Sequence, residues 1–214
     1  MKNTMKKILT LGAAFLMAAC MSGTAGAAES KILVAYFTRV GNTDFPAGTD
    51  ALSSASLNIR NGKLAGNTEL IADMIAKQTG GDLFRITTQK KYAADYDSVV
   101  NYARSEPKED RRPALSSHVE NMKDYDVVFI GYPIWWYTMP MAVYTFVEEY
   151  DLSGKTVVPF CTHGGSRLSG TVEELRKMLP RSKVPDGFEV YADRAAGAEA
   201  DVSAWIKSLG IKEP

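Results

Sequence analysis

Short, almost wholly apolar runs alternate along the chain with longer stretches whose apolar positions recur every three or four residues. Residues 31–37 (KILVAYF) contain scarcely a polar side chain, the composition of a strand covered on both faces. Residues 67–79 carry Leu70, Ile71, Met74 and Ile75 at helical spacing and close on Gly80 and Gly81, where a helix can stop. The same reading predicts further strands over 82–87, 126–133, 155–163 and 187–192, and helices over 96–104, 140–150, 171–179 and 198–209. Pro140 suits a first helical turn, where its missing N–H costs nothing. Strand and helix alternate five times, which predicts an α/β fold: a doubly wound, five-stranded parallel sheet with helices on both faces. Residues 44–65, rich in Ser, Ala, Asn and Gly, break the rhythm and read as an insertion; within them NIRNGKL (58–64) offers an Asn-Gly turn for a small hairpin. There is no internal repeat and no second domain.

The first residues follow another pattern. Lys2, Lys6 and Lys7 precede an apolar run over 8–19, and small residues follow, the order of a secretory signal. The run is short for a bilayer span. Ala25-Gly26-Ala27 supplies a cleavage site, so residues 1–27 are expected to be a signal peptide and 28–214 the mature domain. Alternatively, Met17-Ala18-Ala19-Cys20 is similar to a bacterial lipoprotein box, which would anchor the chain through Cys20. Either way the protein is expected outside the cytoplasm, periplasmic, secreted or lipid-anchored. No Arg precedes Arg39, which argues against twin-arginine export and for crossing the membrane unfolded.

Removal of the leader changes the charge. The whole chain balances 25 basic against 25 acidic residues; the loss of three lysines and no acid leaves a net charge of about −3. That argues against nucleic-acid binding. The mature domain keeps only Cys161, so it can form no internal disulfide, and His118 and His163 stand too far apart for metal-ligand spacing.

In such a sheet ligands bind beyond the carboxyl ends of the strands, where the strand order reverses. The stretch after 31–37 offers hydroxyls and amides (Thr38, Arg39, Gly41, Asn42, Thr43), that after 126–133 offers aromatic faces (Trp135, Trp136, Tyr137), and that after 155–163 offers backbone at Gly164 and Gly165. Together these loops resemble those of the flavodoxin-like family. YFTRVGNT (36–43) and GNTELIA (66–72) are similar to two halves of its hydroxyl-rich phosphate loop, usually continuous as S/T-x-T-G-N-T-x-x-x-A. GYPIWWYTMP (131–140) resembles the loop that stacks on the isoalloxazine, and PFCTHGGS (159–166) the loop around its pyrimidine edge. The resemblance spans residues 31–210. It implies a strand order of 2-1-3-4-5 and FMN bound without a covalent link.

Gly-Asn-Thr occurs twice, at 41–43 and 66–68, but only the second copy opens a helix. Free amides and the helix dipole favour a phosphate there, so the expected cradle joins Thr38 and Arg39 to Asn67 and Thr68 across the insertion. The ring is expected against Pro133, Ile134, Trp135, Trp136 and Tyr137, with Trp135 its first contact and one of the adjacent tryptophans left to core or rim. Thr162, His163, Gly164 and Gly165 would meet the pyrimidine edge, His163 as a donor toward O2 or N1. Each residue also has a plainer reading: Thr38 and Thr68 as strand end and helix cap, Arg39 as a solvated charge, the aromatics as packing and His163 as a loop side chain. Cys161 reads as a small buried apolar residue rather than a redox thiol. No substrate acid or base is evident.

One-electron carriers of the family commonly keep a glycine in the ring-facing loop, whose peptide turns over to bond the flavin N5. The corresponding stretch here, Ile134-Trp135-Trp136-Tyr137, has none, and other residues meet a steric penalty at positive φ. The expectation is a two-electron FMN oxidoreductase, reduced by a nicotinamide or a protein donor and passing hydride to a quinone-like or other small acceptor. A carrier serving exported redox partners is the first alternative. A flavin-free binding or scaffold protein on the same fold is the second.

Overall fold

The computed structural model of the chain describes residues 30–50 and 56–211, so the expected leader and Cys20 lie outside the described residues. Strand β1 (Ile32–Phe37) is followed by β2 (Leu57–Arg60), β3 (Lys63–Gly66), α1 (Asn67–Thr79), β4 (Asp82–Ile86), α2 (Tyr96–Ser105), β5 (Val127–Pro133), α3 (Met141–Glu149), β6 (Thr156–His163), α4 (Thr171–Met178), β7 (Phe188–Tyr191) and α5 (Glu199–Ser208). Every strand and helix expected from periodicity is present, each end within one residue. Among the described residues no helix is long and apolar enough to cross a membrane.

Five strands form one parallel sheet in the order β4-β1-β5-β6-β7. With the hairpin strands set aside this is the expected 2-1-3-4-5 order. The chain runs from β1 outward to β4 and then back past β1 to β5, so the order reverses at β1 and leaves a crevice beyond the carboxyl ends of β1 and β5. All of β1 and β5 is buried because helices cover both faces. On one face Leu33, Phe37, Val128 and Ile130 pack with Val99 and Ala103 of α2, Phe146 of α3 and Leu175 of α4. On the other, Val34, Phe129 and Val158 pack with Ile71 and Ile75 of α1 and Val202 and Ile206 of α5. Withdrawing each such large side chain from water contributes about 1.5–3 kcal/mol. At Gly131 the sheet tolerates no side chain, since a Cβ there would lie 2.1 Å from the Phe160 ring.

The insertion contains the expected hairpin. β2 and β3 pair antiparallel from Leu57 with Gly66 to Arg60 with Lys63, across a turn whose Asn61 and Gly62 both have positive φ (52° and 73°). β3 ends on Gly66 and α1 begins on Asn67, so the second Gly-Asn-Thr copy sits at a direct strand-to-helix junction.

The first copy does other work. The Asn42 amide donates to the carbonyls of Thr38 (2.8 Å) and Ile86 (2.9 Å) and accepts from the Thr88 N–H (2.8 Å) and hydroxyl (3.1 Å). It staples the exit of β1 to the exit of β4, fully buried.

Candidate functional site

A cavity of about 410 Å³ opens at the carboxyl edge of the sheet. Of the residues expected at a ring, Ile134, Trp135, Trp136, Thr162, His163 and Gly164 line it. They are brought together because β5 and β6 are neighbours in register, Pro133 opposite Thr162, and the Ile134 N–H donates to the Thr162 carbonyl at 2.9 Å. The rest of the lining is Ser56, Tyr96, Val99, Val100, Ala103 and Ala192. Sequence reading missed these. The sequence predicts a helix over 96–104, but only the fold shows that Val99, Val100 and Ala103 of α2 border the cavity.

The α1 end adjoins this cavity through a bond between the hydroxyls of Thr68 and Thr162 (2.9 Å). Beside it the Thr38 Oγ1 is buried with no partner among the described residues, as is that of Thr43. Thr38 reaches this position because residue 66 is glycine: a Cβ there would lie 1.7 Å from the Thr38 hydroxyl. Glu69 accepts the Gly66 N–H (3.1 Å), and its charge is balanced by Arg85 at 2.5 Å. A helix start leaves its first N–H groups without intrahelical acceptors, so the Thr68 end combines a buried donor hydroxyl with the positive end of α1. Arg39, also buried, donates to the carbonyls of Ala93 and Ala94 (2.9 Å each) and lies over the Phe45 ring, which engages its guanidinium with the segment after β4.

The two tryptophans divide the roles left open between them. Trp135 is 9% exposed and meets Phe37 and Tyr92 edge-on, its indole forming an inner wall. Trp136 is 42% exposed and crosses the mouth to α2, where its Nε1 donates to the Val100 carbonyl (3.0 Å) and Arg104 lies over the ring. Tyr137 is 73% exposed and is not part of the lining. Trp136 and Tyr137 have φ of 50° and 65°, so two non-glycine residues take positive φ here in spite of its steric penalty. The physical reason is closure. The Trp135 N–H donates to the Thr138 carbonyl (3.0 Å) and the Thr138 N–H to the Trp135 carbonyl (3.1 Å), a two-residue connection that requires left-handed backbone at both central positions. Thr138 is itself tied to the Tyr144 hydroxyl at 2.7 Å. Each left-handed non-glycine residue costs about 1–2 kcal/mol, which these bonds must offset.

His163 is held within the protein on both sides of its ring. The Gly165 N–H donates to Nδ1 (2.9 Å), which leaves the proton on Nε2, facing the Glu189 carboxylate. Its imidazole therefore fixes the 163–165 loop, where Gly165 has φ 130°. Cys161 is buried beneath this loop, and burial pushes its thiol above the usual range, as for an inert side chain. Behind Trp135 the Tyr92 hydroxyl lies 3.2 Å from the Glu106 carboxylate. Burial raises the Glu106 carboxyl to about 7, against opposing contributions from the Tyr92 hydrogen bond and Arg111. Among the described residues no group of His, Cys, Asp and Glu could hold a metal ion.

A family model described as flavodoxin matches residues 59–209. No curated protein matches the chain. Among solved structures, a Bacteroides eggerthii protein assigned as a flavoprotein is 33% identical, with a TM-score of 0.64 over 86% of this chain and 100% of that one. A Bacteroides uniformis protein assigned likewise is 30% identical, with a TM-score of 0.62 over 84% and 99%. A Lactobacillus acidophilus flavoprotein solved with FMN shares the fold at 16% identity, with a TM-score of 0.54 over 82% and 98%.

Proposed function

The chain belongs to the flavodoxin family, and from that premise we propose that it holds FMN non-covalently and works as a two-electron oxidoreductase passing hydride to a quinone-like or other small acceptor. The residues suit FMN: the Thr38 hydroxyl, without a partner among the described residues, and the α1 N-terminus match a phosphate, and the indole-walled cavity matches a flat aromatic ring. Bound FMN would supply the hydride chemistry. The chain's own residues bind and orient it. Thr68 and Thr162 join the two ends of the site, and Trp135 and Trp136 bound the ring space. The backbone of Gly164, in the loop steadied by His163, borders the ring space, while the Gly165 N–H is engaged by His163. Val99, Val100 and Ala103 of α2 leave an apolar wall, the surroundings that an acceptor of low polarity would meet. A nicotinamide or a protein is the donor.

The observation that carries the two-electron reading is the closed turn at Trp135–Thr138. To serve a carrier, a peptide of this loop would have to turn over toward the ring. Turning over the central peptide, between Trp136 and Tyr137, would keep the turn's two backbone hydrogen bonds but would ask Trp136 for a type II′ backbone that suits glycine, and would disturb the indole bonded to Val100. The test is a reductive titration of the purified protein loaded with FMN, followed by its visible spectrum. Direct bleaching is expected. A long-wavelength band growing in at half reduction favours the carrier instead, and failure to take up FMN leaves a flavin-free binding protein.

A further inference from the structure

We propose that the hairpin interrupting the phosphate loop, with Ser56 at its foot, is a positioning clasp for FMN that fixes the phosphate end of the site relative to its ring wall. The inference rests on the flavin reading above. Pairing of Leu57 with Gly66 brings Ser56 alongside the first residue of α1, where the Ser56 carbonyl accepts the Asn67 N–H at 3.2 Å. The Ser56 hydroxyl accepts from the Trp135 indole N–H, also at 3.2 Å, and the residue lines the cavity. One residue therefore touches both ends of the site. Two further contacts hold it there. The Asn58 amide donates to the Asn67 side-chain oxygen at 2.9 Å, and an Arg60–Asp73 ion pair fastens the hairpin to α1.

Ser56 holds this position at φ 63°, a left-handed backbone that serine does not adopt for local reasons. The clasp also selects the phosphate donors. With the Asn67 N–H directed to Ser56 and the Gly66 N–H to Glu69, an anion at the helix start is left the amides that follow, Thr68 foremost, and the Thr38 hydroxyl. A family loop that is usually continuous is thus rebuilt from two pieces by an inserted third, which contributes contacts of its own.

Two side chains separate the ends of the clasp, and two ligands report on them: FMN, and riboflavin, which lacks the phosphate. Ser56→Ala removes the indole contact at the ring wall. It should weaken FMN and riboflavin alike, by about 3- to 10-fold, as for the loss of one hydrogen bond. Asn58→Ala releases Asn67 at the phosphate end. It should weaken FMN by a similar factor and leave riboflavin within twofold. Dissociation constants come from flavin fluorescence titrations, with thermal midpoints taken alongside to show that both variants are folded. In the wild-type protein, FMN should also shift the Trp135 indole and the Ser56 and Asn67 amide signals in a 1H–15N spectrum, a reading that needs no variant. Variants that bind both ligands as tightly as wild type, or Ser56 signals that do not move, overturn the clasp. Wild-type protein that binds no FMN overturns the flavin reading instead, so the two failures are distinct.

Discussion

Truncating Asn42 to alanine would leave the Thr38 and Ile86 carbonyls and the Thr88 N–H buried without their partner. The expected loss is about 2–4 kcal/mol of folding stability, seen as a lower urea midpoint. The same substitution at Asn67 should act first on cofactor affinity, because that residue stands at the start of α1 and bonds Asn58. The tripeptides are identical in sequence and unlike in duty, and the sequence distinguished them through one feature, the helix that follows the second. Other residue roles were not legible. Nothing in Trp136-Tyr137 announces a left-handed turn, since the composition that normally does so is Asn-Gly, as at 61–62. In the sequence His163 stays open between a donor to the ring and a loop side chain, because Glu189, a partner from the neighbouring strand, cannot be paired with it before the register of β6 and β7 is known. Arg39 is a similar case, its acceptors at Ala93 and Ala94 lying far along the chain.

At the scale of elements, the hydrophobic periods located every helix and strand, and the Asn-Gly pair located the hairpin, because each of those signals is local. Helix α2 shows what local signals leave out. Its Val99 and Ala103 belong to the core and also line the cavity, and Val100 contributes both lining and the carbonyl that receives the Trp136 indole. Whether an apolar helix face meets a sheet or a ligand depends on where the chain returns, and periodicity is blind to that. Val100→Phe should test the wall. The larger ring would take up space in the cavity, so FMN affinity should fall at least tenfold in a calorimetric titration. The thermal midpoint of the flavin-free protein should hold or rise, since filling an open apolar space does not disturb the packed core.

For the molecule as a whole, Glu106 ties folding stability to pH. Its carboxyl titrates near 7 in the fold against an ordinary 4.5, chiefly because it is buried. Between those values the unfolded chain has released this proton and the folded protein still holds it, so the unfolded state binds fewer protons and stability falls as pH rises. The contribution is fully present below about 4.5 and is lost through about 7, on the order of 3 kcal/mol in all. Glu106→Gln, which keeps a partner for the Tyr92 hydroxyl, should flatten that stretch of a plot of denaturant midpoint against pH.

The strand order carries a consequence for biosynthesis. β1 lies between β4 and β5, so it is made well before its inner neighbour Val127–Pro133 exists. Until that neighbour arrives, the six residues ILVAYF have at least one unoccupied edge and no charge to deter pairing with copies of themselves. A segment that the finished protein covers on every side is therefore, during synthesis, a prime candidate for joining the wrong chain.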